Sequence, residues 1–173
     1  MEKKKKYTVS IYAENNIGLL NRISSIFLKR HISIDSVNSS PSEINDIYRF
    51  VIVVTVHELL IKKVITQIEK QIEVIAAFYH TDQETIFQES ALYKVKSKSL
   101  FEERHIQNII KNSHAKIVTV SPDFFVIEKT GFREETEKLY NDLAPYGLLQ
   151  FVRSGRIAVT KEPLNISEIL KKN

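Results

Sequence analysis

Tyr7-Thr8-Val9-Ser10-Ile11-Tyr12-Ala13 alternates apolar and polar residues, and Glu14-Asn15-Asn16-Ile17-Gly18-Leu19-Leu20 follows it directly. A period of two is the pattern of a strand. From Gly18 the period changes, because Leu19, Ile23, Ile26 and Phe27 mark one face of a helix running to about Arg30. Glu14 to Ile17 form the turn between the two. Working outward, Ser33 to Ser39 reads as a short strand carrying Ile34 and Val37, and Pro41 to Asn45 as a polar turn. Then Tyr48, Phe50, Ile52, Val54 and Val56 alternate with Arg49, Val51, Val53 and Thr55. Both faces of that strand are substantially apolar, so it belongs in the centre of a sheet. Leu60, Val64, Ile65 and Ile68 mark a second helix ending near Gln71, and Val74 to His80 a fourth strand. The order is β-α-β-β-α-β, the split unit of ferredoxin-like folds.

The same order returns downstream. Ser90 to Lys98 is a strand, and Phe101, Ile106, Ile109 and Ile110 mark a helix. Lys116 to Ser121 and Phe124 to Thr130 are strands around a Pro122-Asp123 turn. Phe132 to Leu143 is a helix stopped by Pro145-Tyr146-Gly147. Leu148 to Ser154 and Arg156 to Lys161 read as a closing hairpin around Gly155, with a short tail helix from Asn165 to Lys172. The expected fold is α+β: two consecutive ferredoxin-like βαββαβ units, each an antiparallel sheet covered by two helices. The expected boundaries are 7–80 for the first domain, 81–88 for a polar linker and 89–162 for the second domain.

The chain's 173 residues allow one large domain or two small ones. With 43% hydrophobic and 27% charged residues, the composition excludes disordered, collagen-like and coiled-coil classes for the whole chain. The absence of cysteine removes disulfide scaffolds, thiolate metal sites and thiol catalysis. No apolar run approaches the ~18 residues that span a bilayer. The start, Glu2-Lys3-Lys4-Lys5-Lys6, lacks the apolar core of a signal peptide. A reducing, cytoplasmic setting is the default expectation. The net charge of +4 invites a nucleic-acid partner, but Lys3 to Lys6 alone supply it. Without them, 21 basic residues face 21 acidic ones. A balanced body with a short basic tail is not a surface that tracks phosphates, so the tail is expected to be a solvated, frayed terminus.

Catalytic patterns are missing. Histidines 31, 57, 80, 105 and 114 include no pair at helical metal-ligand spacing. His80 and Asp82 are close enough to orient a proton, but fall in the expected linker, where a solvated polar turn is the simpler account. The nucleophile elbow, the P-loop and the dinucleotide fingerprint do not occur. Glu134, Glu135 and Glu137 lie on a helix surface, and nothing pairs two carboxylates across a cleft.

The segment 14–20 stands out because it holds one of only four glycines, where average usage of ~7% predicts about 12. The first N–H groups of a helix lack intrahelical partners, and the helix dipole adds partial positive charge there. A small carboxylate suits such an end. Gly18 permits close approach to the backbone, Asn15 can donate and accept, and Leu19, Leu20 and Ile34 offer an apolar surround. The plain alternative is that Asn15 or Asn16 caps the helix and Gly18 only relieves the turn. The second half has no glycine before its own first helix, so any such receptor belongs to the first unit.

The sequence resembles the small, regulatory subunit of acetolactate synthase from about Tyr7 to Lys161. The carrying segments are Glu14-Asn15-Asn16-Ile17-Gly18-Leu19-Leu20-Asn21-Arg22-Ile23, Ile34-Asp35-Ser36, Tyr48-Arg49-Phe50 with Val51-Ile52-Val53, and Gln67-Ile68-Glu69-Lys70-Gln71-Ile72. In the second half they are Gln88-Glu89-Ser90-Ala91-Leu92-Tyr93-Lys94-Val95 and Val152-Arg153-Ser154-Gly155. The resemblance implies that the first unit is an ACT domain that forms a homodimer. It implies a non-catalytic chain that activates a separate catalytic subunit and confers feedback inhibition by valine or a related amino acid in branched-chain amino-acid biosynthesis. It implies no cofactor in this chain, with thiamine diphosphate, FAD and Mg on the catalytic subunit. By position, Asn15 and Gly18 match the family's effector-contacting residues, and Leu19 and Leu20 follow them. Ser33, before Ile34, stands where the family usually has Asn facing the ligand from the partner chain; serine offers one hydroxyl in place of an amide.

Three alternatives stay open on sequence. One is a free-standing ACT sensor of another enzyme. One is a ferredoxin-like RNA-binding module, whose central strand would display Tyr48 and Phe50 for stacking; core packing of both is the plainer account, since Asn45-Asp46-Ile47 stands where a glycine-aromatic lead is expected. The third is an enzyme in its own right.

Overall fold

The computed structural model describes residues 3–102 and 104–172. The first series is β1 (Lys5–Glu14), α1 (Leu19–Leu28), β2 (Ile34–Pro41), β3 (Ile47–Val56), α2 (Glu58–Ile68) and β4 (Val74–Thr81). Its sheet has the order β2-β3-β1-β4, with every neighbour antiparallel. The second series is β5 (Thr85–Lys96), α3 (Ser97–Glu102), α4 (Arg104–Asn112), β6 (Lys116–Val120), β7 (Phe124–Gly131), α5 (Arg133–Leu143) and β8 (Leu148–Arg153). Its sheet repeats the order as β6-β7-β5-β8. The chain closes with β9 (Ile157–Thr160) and α6 (Ile166–Lys172). Two ferredoxin-like α+β units, as the periodicity predicts, are therefore present. Among the described residues no helix is long and apolar enough to cross a membrane.

Alternation decides what each strand buries. Val9, Ile11 and Ala13 of β1 and Phe50, Ile52 and Val54 of β3 point into the core beneath α1 and α2. Ile23, Ile26 and Phe27 of α1 and Ile61, Val64 and Ile68 of α2 close it. Full burial of each such side chain contributes ~1.5–3 kcal/mol. The second core is built likewise from Tyr93, Val95, Ile106, Phe125, Ile127 and Leu139. α3 and α4 carry the stretch expected as one helix; Ile106 and Ile110 are buried there, and the side chain of Phe101 lies outside the described residues.

The two units share a capping device that the sequence conceals. After α1, His31 takes a left-handed φ of 53° while Ile32 N–H donates to Phe27 O. After α4, His114 takes φ 54° while Ala115 N–H donates to Ile110 O. Such a left-handed cap is usually glycine, so two of the five histidines hold backbone positions.

The opposite face of the first sheet is also covered. Thr8 and Tyr12 of β1 and Val51 and Val53 of β3 point away from the helices, yet all four are buried. Internal contacts group residues from Arg156 onward with those up to Phe87, and leave Gln88–Gly155 as the other unit. Arg156 anchors the returning segment. Its Nη1 donates to Thr8 Oγ1 at 2.9 Å and to Asp82 Oδ1 at 2.6 Å, and its guanidinium lies 3.5 Å from the Phe87 ring centre.

Three expectations are corrected here. The 81–88 stretch is not a linker: Glu84 N–H closes a turn onto Thr81 O, and β5 starts at Thr85. The last hairpin does not form. Gly155 is absent from the positive-φ residues, and the chain passes it without reversing. Ser154 N–H donates to Ser90 O and Lys161 N–H to Glu84 O, so β9 runs on along β5. Part of the lysine tail is structured, because Lys5 and Lys6 pair with Val56 and Thr55 of β3.

Two measurements probe this fold. Arg156→Ala strips the partner from Asp82, and urea unfolding is expected to give a loss of about 2 kcal/mol, the scale of hydrogen bonds to a charged group. In the second unit, burial pushes the Tyr93 phenol from near 10 up to about 12, and its hydroxyl donates to Thr136 O at 2.7 Å. The neutral form is the one folding favours, so this stability is intact below pH 10 and falls as pH rises from there to about 12. Tyr93→Phe is expected to flatten that part of the unfolding profile relative to the unaltered chain.

Candidate functional site

The end of β1 is fixed by the backbone. Glu14 N–H donates to Glu73 O and Asn15 N–H to Asp46 O. Gly18 then occupies the N-cap of α1 with φ 83° and ψ −2°, a left-handed conformation that an L side chain disfavours. Leu19 N–H donates to Asn16 O, and the helical ladder starts with Arg22 N–H on Gly18 O. No side chain caps this helix and its first turn holds no acidic residue. Among the described residues, the Leu20 and Asn21 N–H groups have no protein acceptor. Asn15 and Asn16 are exposed and their side chains do not cap the helix, while Gly18 takes the left-handed conformation that relieves the turn.

The expected site residues fall into two groups. Asn15 and Gly18 are exposed, and Leu20 is 45% exposed beside them. Leu19 is 1% exposed and belongs to the core, so it supports the corner rather than lining it. Ser33 is exposed and Ile34 packs against the core edge. Ile34 pairs with Val54, which pairs with Tyr7, whereas the corner follows Ala13, opposite Tyr48. At ~3.3 Å per residue, six or seven residues along β1 put Ser33 roughly 20 Å from the corner within one chain. A single chain therefore does not bring Ser33 to Asn15 and Gly18.

Arg22, one turn into α1, is ion-paired with Glu73. It sits inside the quoted segment, yet nothing in the sequence points to its partner 51 positions away. The matching corner of the second unit is closed. Ser97 is buried, its N–H donates to Asp123 O at 3.1 Å, and its hydroxyl donates to Ser121 O at 2.6 Å.

The other candidates resolve into structure. Asp82 is held by Arg156, so it does not orient His80. Among the described residues no group of three histidines or carboxylates could hold a metal ion. Phe50 is buried and Tyr48 packs against the helix-covered core, so neither is displayed for base stacking. Arg153 is largely buried, with Nη2 2.5 Å from Glu137 Oε2 and Nε 3.8 Å from Glu89 Oε2.

A family profile for the ACT domain matches residues 7–73. The fold and its open corner thus define a two-unit chain whose first unit is an ACT domain. A second profile, for the small subunit of acetolactate synthase, matches residues 88–162. The acetolactate synthase small subunit of Mycolicibacterium smegmatis is 32% identical over 160 residues, spanning 92% of this chain and 94% of that one. That of Bacillus subtilis is 33% identical over 157 residues, spanning 90% and 91%. The crystal structure of the small subunit from Thermotoga maritima superposes with a TM-score of 0.81 at 25% identity, covering 92% of this chain and 99% of that one. The chain belongs to the family of acetolactate synthase small subunits.

A Cβ added at Gly18 meets nothing within 4 Å, so substitution there acts through the backbone alone. Gly18→Val is expected to cost ~1–3 kcal/mol in urea unfolding and Gly18→Asn distinctly less, because asparagine tolerates the left-handed region.

Proposed function

We propose that this chain is the regulatory partner of a catalytic acetolactate synthase subunit, which it activates and renders sensitive to valine or a related branched-chain amino acid. The observation that carries this is the uncapped start of α1, with free N–H groups at Leu20 and Asn21 beside exposed Asn15 and Gly18. A zwitterion's carboxylate suits those amides and the helix dipole. Asn15 meets its polar atoms, and Leu20 faces its aliphatic end. The closed corner at Ser97 gives the second unit no equivalent.

The separation of Ser33 from the corner supports a homodimer. β2 is an edge strand with mostly exposed residues and an unpaired side, which favours pairing with a second copy. A second copy placed there brings its own Ser33 toward the first chain's corner. The ligand then bridges two chains, and it shifts the assembly only by its difference in affinity for the two arrangements, typically ~1–3 kcal/mol. In this proposal the thiamine diphosphate, FAD and Mg chemistry stays on the catalytic subunit, and the complex is cytoplasmic. A serine hydroxyl in place of an amide at position 33 weakens the effector's hold relative to an asparagine-bearing relative.

The test is acetolactate formation by the reconstituted complex across valine concentrations. Asn15→Ala is expected to raise the half-inhibiting valine concentration about tenfold, the scale of one hydrogen bond to a charged group, with activation of the catalytic subunit retained. An unchanged inhibition curve would contradict the assignment.

A further inference from the structure

The face of the first sheet away from its helices holds a cavity of about 300 Å³. Its floor is Ser10 and Tyr12 of β1, Arg49 of β3, and Phe78 and His80 of β4. Its roof is the returning segment, from Ala158 to Ile166. None of the corner residues lines it. The volume lies at the small end of ligand sites, room for one small molecule.

Arg49 is its chemical centre. Register places it directly opposite Tyr12, and its guanidinium lies 5.8 Å from that ring's centre. Nη2 donates to Ala158 O. Nε is buried and has no acceptor. A buried guanidinium N–H left unmet is costly, and the fork of an arginine matches a carboxylate. Glu43 and Glu162 also line the cavity, yet among the described residues neither forms an ion pair with Arg49. Phe78, Leu164 and Ile166 supply an apolar wall. The lining thus holds a cation with no carboxylate partner among the described residues, two uncommitted carboxylates and an aliphatic surface within one small volume.

We infer that this cavity binds a small aliphatic α-amino acid, with its carboxylate on Arg49, its ammonium toward Glu43 and Glu162, and its side chain against Phe78, Leu164 and Ile166. The site is separate from the corner at Gly18 and stands or falls without it. Because residues of the returning segment form the roof, occupancy ties that segment to the sheet. A 2-oxo acid shares the carboxylate and the aliphatic body but lacks the ammonium, so the two carboxylates distinguish it from the amino acid.

The experiment is calorimetric titration of the full-length chain with L-leucine and, separately, 4-methyl-2-oxopentanoate, alongside amide chemical shifts of residues 158–162. Leucine is expected to move those amides saturably, equally in the unaltered chain and in Asn15→Ala. Arg49→Gln is expected to weaken leucine about tenfold or more, the loss of one charge-assisted contact. Glu162→Gln, at an exposed position that leaves folding unaffected, is expected to weaken leucine several-fold and leave the oxo acid unchanged. The inference is overturned if those amides do not shift, if Arg49→Gln binds as tightly as the unaltered chain, or if Asn15→Ala abolishes the shifts. Should Arg49→Gln not fold, unchanged leucine binding by Glu162→Gln overturns it. An oxo acid that binds as tightly as leucine overturns the ammonium assignment.

Discussion

Everything in the first unit hangs on the ladder between β1 and β3, ten residue pairs whose central members are buried on both faces. One face receives α1 and α2. The other receives the segment after Arg156, whose guanidinium is spent on Thr8 and Asp82. A strand buried on both sides tolerates no slip in register, because a shift of one residue exchanges its two faces. That rigidity holds the end of β1 in place, and with it the turn in which Gly18 goes left-handed and the start of α1 is left open.

The central placement of β3 is legible in the sequence because Val51 and Val53 are as apolar as Phe50 and Ile52. What covers the second face is not, since it comes from about a hundred positions downstream through a pairing that local patterns do not encode. Gly155 misleads for a similar reason: glycine usually punctuates a turn, yet here the strand direction continues through it. The left-handed caps at His31 and His114 are likewise invisible, because neither residue is a usual turn former.

The corner itself is readable for a physical reason. In a glycine-poor chain, a glycine where the period changes from two to 3.6 marks a place where the backbone needs freedom. Whether Asn15 or Asn16 caps the helix is a matter of side-chain placement, and the fold leaves both free of that task. The distance from Ser33 to the corner is equally beyond a linear pattern, since it follows from register across three strands. The contrast with Ser97 shows how one hydroxyl and one N–H close a topologically equivalent corner.

A crystal structure of the chain bound to its catalytic subunit, grown with L-valine, tests the account most directly. The account predicts valine at the start of α1, its carboxylate within hydrogen-bond distance of the Leu20 and Asn21 amides, with a second copy's Ser33 facing it. A corner empty at saturating valine, in an assembly whose activity valine nonetheless suppresses, would contradict it.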